Sequence, residues 1–246
     1  MNRLGLIGKN ISYSFSRSYF TKKFEAQKLP FTYENFDLNH ISEFKQLFTK
    51  EHNIVGLSVT IPYKEDIIPY LDSLNKKAKE IGAVNTITVD KKGLLKGYNT
   101  DCFGFKKSIQ PFLKPHHKKA LILGTGGASK AIAYTLKRLD ITFDYVSRTK
   151  KPGVMFTYET LTSEMLSNYT IVINCTPIGT HPKIDNCPDI PYEGITKKHL
   201  LFDLIYNPTE TKFLKLGKEH GAEICNGIKM LEYQAEKAWK IWNSTF

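Results

Sequence analysis

The sequence predicts an α/β protein in which mainly parallel sheets carry helices on their faces. Three observations point there. Through the first hundred residues, strand-length apolar segments alternate with segments of helical period, the βαβα order that builds a parallel sheet. A second such series opens near residue 120, where an apolar strand runs into a glycine loop and a helix, as in a doubly wound fold. The chain has 246 residues, 41% of them hydrophobic, which is long for one core and comfortable for two.

Residues 3–8 form a first short apolar strand. Residues 18–28 read as a helix with Tyr19, Phe20 and Phe24 on one side. Residues 31–37 set Phe31, Tyr33 and Phe36 among polar neighbours, as in a half-buried strand. Residues 41–50 place Ile41, Phe44, Leu47 and Phe48 at helical spacing. Residues 55–61 are strand-like and stop at Pro62, and 67–81 read as one helix. Residues 83–89 are a strand, followed by a hairpin turn at Lys91-Lys92-Gly93. Residues 110–119, with Pro111, Pro115 and a basic cluster, read as a connection. Then come the strand 120–123, a helix through Leu139, and strands at 143–146, 170–174 and 200–204. Residues 227–242 form an amphipathic helix whose stripe is Ile228, Leu231, Ala235, Trp239 and Trp242; periodicity alone does not assign it to either half.

Composition removes several function classes. The net charge is +11, but only four of the 35 basic residues are Arg, and the lysines are dispersed. DNA readers cluster charge on one face and place Arg at the bases, so a solvated surface is the plainer reading and no nucleic-acid partner is predicted. A positive field also suits anionic small molecules. Cys102, Cys175, Cys187 and Cys225 form no Cys-x-x-Cys pair, and His116-His117 lies in the basic connection, so no metal site is predicted. No stretch reaches the roughly 18 apolar residues of a membrane span. The N-terminal residues read as a strand and not as a signal peptide, which predicts a cytoplasmic protein without a membrane partner.

The strand–loop–helix unit at 120–139 points to a nucleotide. Gly124 permits a tight turn, Gly126 lets the backbone approach a pyrophosphate, and the helix start offers free N–H groups. Ser129 stands where the third glycine of Gly-x-Gly-x-x-Gly would be, and a plain glycine turn is the competing reading. The end of the next strand bears on the choice of cofactor. Asp144 lies at the distance of an NAD-type acidic residue, but inside the strand. Its end, Ser147-Arg148-Thr149-Lys150, offers a guanidinium fork and two hydroxyls suited to the 2′-phosphate of NADP, against the plain alternative of a surface Arg.

A series of segments, in order, resembles the shikimate dehydrogenases (the shikimate/quinate dehydrogenase family). They are Tyr13-Ser14-Phe15-Ser16, Leu57-Ser58-Val59-Thr60-Ile61-Pro62-Tyr63-Lys64, Gly82-Ala83-Val84-Asn85-Thr86 and Tyr98-Asn99-Thr100-Asp101-Cys102-Phe103-Gly104. The glycine loop at 124–129, Ser147-Arg148-Thr149, Asn174-Cys175-Thr176-Pro177 and Asp203-Leu204-Ile205-Tyr206-Asn207-Pro208 continue it. Asn226-Gly227-Ile228-Lys229-Met230-Leu231 with Gln234-Ala235 closes it. The resemblance implies a substrate-binding domain of residues 1–101, with the C-terminal helix 227–246 returning to it. It further implies a Rossmann-like NADP-binding domain of residues 102–226, with the active site in the cleft between the two.

The implied reaction is reduction of the ketone of 3-dehydroshikimate by NADPH to give shikimate, in chorismate and aromatic amino acid biosynthesis. Lys64 would donate the proton, and Asp101 would hold the lysine and bind a substrate hydroxyl. Ser14 and Ser16 would donate to the substrate carboxylate from alternate positions of an extended segment, although a helix cap is an equally good reading of them. Thr60, Asn85 and Gln234 would read the ring hydroxyls, and Tyr206 would help hold the carboxylate. The cofactor would lie on Gly124, Gly126, Gly127, Ala128, Ser147, Arg148, Thr149, Cys175 and Thr176, with Gly227 and Met230 near the nicotinamide; core packing is the other reading of Met230. Tyr13, Arg17 and Ser58 depart from the usual His, Pro and Asn. The expected protein is a monomer or homodimer acting on a small molecule. A quinate/shikimate dehydrogenase using NAD or NADP is the neighbouring alternative, and a non-catalytic nucleotide-sensing or nucleic-acid-binding protein is the distant one.

Overall fold

A computed structural model of the chain describes residues 2–12, 14–48 and 53–245. Tyr13 and the end of the expected helix at 49–50 lie outside the described residues. The chain divides into two compact units, Met1–Thr100 with Ala235–Phe246, and Asp101–Gln234. Among the described residues no helix is long and apolar enough to cross a membrane, and no group of three His, Cys, Asp or Glu side chains is placed to hold a metal ion.

The first unit contains β1 (Asn2–Gly8), α1 (Phe15–Ala26), β2 (Phe31–Asp37), β3 (Ile54–Val59), β4 (Ser73–Leu74), α2 (Lys76–Ile81), β5 (Thr86–Val89) and β6 (Leu95–Tyr98). Its sheet runs β2-β1-β3-β5-β6-β4. Strands β1, β2 and β3 pair in parallel, β5 pairs antiparallel to β3 and β6, and β4 pairs parallel to β6. Alternation along β1 sends Leu4 and Leu6 to one face, with Phe20, Phe24, Tyr33, Ala235, Ala238 and Trp242. Ile7 goes to the other face, with Leu57, Val59, Tyr63, Ile67 and Ile87.

Several local expectations change. The first helix starts at Phe15, not Ser18, because the Ser14 side chain accepts the Arg17 N–H at 3.1 Å and caps it. Ser14 and Ser16 therefore do not share an extended segment: Ser14 is the cap and Ser16 lies in the first turn. The expected helix 67–81 breaks into a 3₁₀ turn at Ile68–Tyr70, strand β4, and α2. Pro69 has no N–H for a longer helix, the Asp72 N–H bonds Leu95 O across to β6, and Asn75 caps a new start on Lys77 N. Ile41–Phe48 winds as a 3₁₀ helix. The strand expected from 83 begins at Thr86, because Val84 N donates to Lys64 O and the residues before it are drawn onto that loop.

The second unit contains α3 (Asp101–Ile109), β7 (Lys119–Leu123), α4 (Gly127–Lys137), β8 (Thr142–Ser147), β9 (Phe156–Thr157), α5 (Ser163–Ser167), β10 (Ile171–Asn174), β11 (Leu200–Asp203), α6 (Lys212–Glu219), β12 (Glu223–Cys225) and the start of α7 (Ile228–Asn243). All its strand pairs are parallel, in the order β12-β11-β10-β7-β8-β9. Helices α3, α4 and the start of α7 cover one face, through Phe105, Ile132, Leu136 and Met230. Leu166 of α5 and Phe213 and Leu214 of α6 cover the other. This is the Rossmann-like, doubly wound arrangement that the sequence predicts. Helix α7 changes unit after Gln234: Met230 packs in the second core, and Ala235, Ala238 and Trp242 pack in the first.

Candidate functional site

In open parallel sheets, ligands bind beyond the carboxyl ends of the strands, where neighbouring strands lead away in opposite directions. Both sheets have such a point. In the first unit it lies between β1, which leads to β2 on one side, and β3 on the other.

The chain beyond that point carries most of the candidate substrate residues. Ser14 and Ser16 follow β1; Thr60 and Lys64 follow β3; Asn85 immediately precedes antiparallel β5; Thr100 follows β6. The sheet directions bring all of these to one edge. Backbone bonds hold the segments together: Thr60 N donates to Ile7 O, Val59 N to Asn85 O and Asn85 N to Tyr98 O. The Lys64 loop is fixed by its own carbonyl, which accepts from Val84 N at 2.7 Å, and by the buried Tyr63 hydroxyl, which donates to Leu38 O at 2.7 Å. Lys64 itself is half-buried.

Asn85 is 3% exposed and acts as an internal clamp. Its Oδ1 accepts from the Thr100 N–H at 2.7 Å and from the Thr86 hydroxyl at 3.1 Å, and its Nδ2 donates to Thr100 Oγ1 at 3.0 Å. Thr100, which sequence reasoning did not single out, thereby fixes the backbone entering Asp101, a buried residue at the start of α3. Ser58, one of the departures from the family pattern, accepts from the buried Tyr33 hydroxyl at 2.9 Å. The Ser16 hydroxyl also interacts with Tyr33, whose pKa burial raises well above the phenol range while both serines act against the shift. A buried Ser16–Tyr33–Ser58 hydroxyl group therefore stands behind the Ser14–Ser16 turn.

In the second unit the corresponding point lies between β7, which leads to β8, and β10 on its other side. Gly124 follows β7 with φ +96°, and a side chain there would press on Thr176 after β10, so both conformation and space require glycine. Gly126 is the N-cap of α4 without a side-chain cap, it is exposed, and nothing stands within 4 Å of where its Cβ would be. Uncapped helix N–H groups at an open, positive dipole end suit a phosphate. Gly127 and Ala128 form the first turn. Ser129, 1% exposed, fills the third-glycine position and donates back to Gly126 O at 2.7 Å.

Beyond β10, the Thr176 N–H and hydroxyl both donate to Asn174 Oδ1, at 3.0 and 2.7 Å. Cys175 N bonds Leu123 O at 2.9 Å. Asn174 Nδ2 in turn donates to Asp203 at 3.0 Å. That fully buried carboxylate also accepts from Ile205 N at 3.0 Å and from the Thr211 hydroxyl at 2.6 Å. Burial pushes the Asp203 pKa up to about 6, against the bonds from Thr211, Ile205 and Asn174. Asp203 thus ties together the loops that carry Thr176 and Tyr206. Ser147 closes β8, and Arg148 and Thr149 beyond it are exposed. Asp144 accepts from Tyr169 Oη at 2.7 Å and faces Lys119 Nζ at 3.5 Å, so that carboxylate is engaged within the fold.

The last candidates lie around the start of α7. Gly227 approaches the Leu204 carbonyl so closely that any side chain would overlap it, and Met230 is 7% exposed within the core. Gln234, 9% exposed, donates its amide to Leu231 O at 3.0 Å. Tyr206 is half-buried in the loop after β11.

Comparison with known proteins extends this geometry. Residues 6–87 match the family model described as the shikimate dehydrogenase substrate binding domain. A shikimate dehydrogenase (NADP(+)) from Clostridium botulinum is 40% identical over 252 residues, which cover 98% of this chain and 96% of that protein. The enzyme of the same name from Methanosphaera stadtmanae is 38% identical, covering 97% and 90%. The crystal structure of shikimate 5-dehydrogenase from Thermus thermophilus in complex with NADP(H) and shikimate superposes with a TM-score of 0.87 at 27% identity, covering 99% of this chain and 94% of that one. The chain belongs to the shikimate dehydrogenase family.

Proposed function

We propose that this chain catalyses the reversible NADP-dependent reduction of 3-dehydroshikimate to shikimate, in chorismate and aromatic amino acid biosynthesis. The carrying observation is the gathering of Ser14, Ser16, Thr60, Lys64 and Asn85 at one sheet edge, in a family whose close relatives are named for this activity. Residues 1–101, with the C-terminal helix, serve as the substrate-binding part, and 102–226 as the NADP-binding part. Bound NADP(H) supplies the hydride chemistry. The glycine loop and the start of α4 would hold its pyrophosphate, and Ser147, Arg148 and Thr149 its 2′-phosphate.

The protein's own task is to receive the charge that carbonyl reduction builds on oxygen. Lys64 delivers a proton to that oxygen in reduction and takes it back in oxidation, a contribution of about 10²–10⁴-fold for a positioned group. Asp101 orients the ammonium and accepts from a ring hydroxyl. Ser14, Ser16 and Tyr206 hold the substrate carboxylate, while Thr60, Asn85 and Gln234 read the hydroxyls. Dispersed lysines with few arginines support a small-molecule partner over nucleic acid, and a monomer or homodimer in the cytoplasm completes the reading.

The test is the appearance of reduced nicotinamide absorbance when the purified protein meets shikimate and NADP⁺. Turnover with shikimate, stronger with NADP⁺ than with NAD⁺, is expected. Silence with shikimate, or turnover confined to quinate with NAD⁺, would overturn the proposal.

A further inference from the structure

We propose that Tyr158 is a second determinant of cofactor choice, its hydroxyl donating a hydrogen bond to the 2′-phosphate beside Arg148. This rests on the reading of the second unit as an NADP site. The cofactor contacts that the resemblance carries over do not include Tyr158.

Strand register places the two residues together. Strands β8 and β9 pair in parallel, Val146 opposite Phe156 and Ser147 opposite Thr157. Arg148 and Tyr158 each follow the last paired residue, just beyond the carboxyl ends, and continuing the register would set them opposite one another. Side chains opposite one another on parallel strands share a face, and the face repeats every second residue. Val146, Phe156 and Tyr158 all pack with one apolar cluster, and strand alternation carried one step past Ser147 would put Arg148 on that same side.

The Tyr158 hydroxyl is shielded from water, and among the described residues none hydrogen-bonds to it. Buried polar atoms are nearly always paired, so an exception calls for an explanation, and beside a nucleotide site a ligand acceptor supplies one. Burial raises the pKa of this hydroxyl, Cys175 beyond β10 adds to that, and the charge of Arg148 acts against it, so Arg148 lies within electrostatic reach of the phenol. Arg148 is itself exposed and can meet an anion from solvent. A phenol can donate to a phosphate oxygen, and a bond to an ionised acceptor is about twice as strong as a neutral one. The hydroxyl therefore favours a phosphorylated ribose over a plain one.

The test uses the full chain and two nucleotides, adenosine 2′,5′-bisphosphate and 5′-AMP, titrated calorimetrically so that no turnover is required. Tyr158→Phe is expected to weaken the bisphosphate by about five- to thirty-fold and 5′-AMP by less than about twofold. Its thermal midpoint should equal or exceed that of the unaltered protein, because among the described residues no partner of the removed hydroxyl is lost. Unchanged affinity for the bisphosphate, equal weakening of both nucleotides, or a lowered midpoint would each overturn the proposal. If the unaltered protein binds both nucleotides equally, the NADP reading falls and this inference with it. If it prefers the bisphosphate and Tyr158→Phe keeps that preference, only the role of Tyr158 falls.

Discussion

Replacing Asn85 by Ala tests how the substrate edge is held. The substitution removes the hydrogen bonds that join the Asn85 amide to Thr86 and Thr100, but their consequences differ. The Thr86 and Thr100 hydroxyls lie 3.3 Å apart and can turn to each other. The Thr100 N–H, 2.7 Å from Asn85 Oδ1, is a backbone donor that cannot turn as a hydroxyl can, and Thr100 is fully buried. Taking its acceptor from a buried donor costs about 1–3 kcal/mol, and the space left by the amide adds about 1 kcal/mol. A loss of about 2–4 kcal/mol follows. Urea unfolding followed by tryptophan fluorescence reads it cleanly, because Trp239 and Trp242 both belong to the first unit. Thr100→Val, which keeps the N–H bond and loses the hydroxyl that accepts from Asn85 Nδ2, should cost about 1 kcal/mol. A loss below about 0.5 kcal/mol for Asn85→Ala, within the range of ordinary surface changes, would refute the clamp. So would a larger loss for Thr100→Val than for Asn85→Ala.

Lys64→Ala should lower kcat by about a hundredfold or more with little change in KM for shikimate; a variant with near-normal kcat would remove Lys64 from the proton transfer. Arg148→Ala should lower kcat/KM with NADP⁺ by about ten- to a hundredfold and with NAD⁺ only slightly, and equal losses with both would detach Arg148 from the 2′-phosphate. His117 and His199 are both 3% exposed, and each Nδ1 accepts a backbone N–H, from Lys114 and Thr196, at 3.0 Å. Burial lowers both pKa values. The unfolded chain therefore binds protons first, so their contribution is complete above about pH 6.5 and is lost as pH falls below it. Asp203, raised to about 6, acts in the opposite sense, gaining stability as pH falls through that value toward the ordinary carboxylate range. Comparing the pH profile of His199→Gln with that of the unaltered protein isolates the histidine, and parallel profiles would count against the assignment.

The sequence carried the fold class because its strongest local signals coincide with the sheets. The fully apolar strand before Gly124 is the central β7, and the stripe ending in Trp242 does bury its second half. Errors arose where a side chain or a tertiary bond outweighed local pattern. Apolar spacing ran through 67–81, but Pro69, the Asn75 cap and the bond from Asp72 to Leu95 split it. The Ser-x-Ser pair admits an extended segment and a helix cap equally well by local pattern, and the bond from Arg17 N to Ser14 decides for the cap. The short strands β9 and β12 carry too few residues for any period to register.

The residues that escaped the reading share one property: they act through other residues. Thr100, Tyr33, Asn174 and Asp203 hold Asn85, Ser58, Thr176 and the loop of Tyr206, and none has a chemistry that stands out in a list of side chains. Their positions do have a common logic. A parallel sheet delivers several chain ends to one edge without fixing them, since the ladder bonds stop where the strands stop. Each loop leaving that edge must then be tied by a side chain that can bond two segments at once. In both units that task falls to a buried Asn, Asp, Thr or Tyr standing at or near a strand end. A carboxylate such as Asp203, satisfied by three donors, is costly to bury but rigid once paired. Rigidity of this kind is what a proton donor on a loop requires, because a misplacement of about 1 Å can cost a hundredfold in rate.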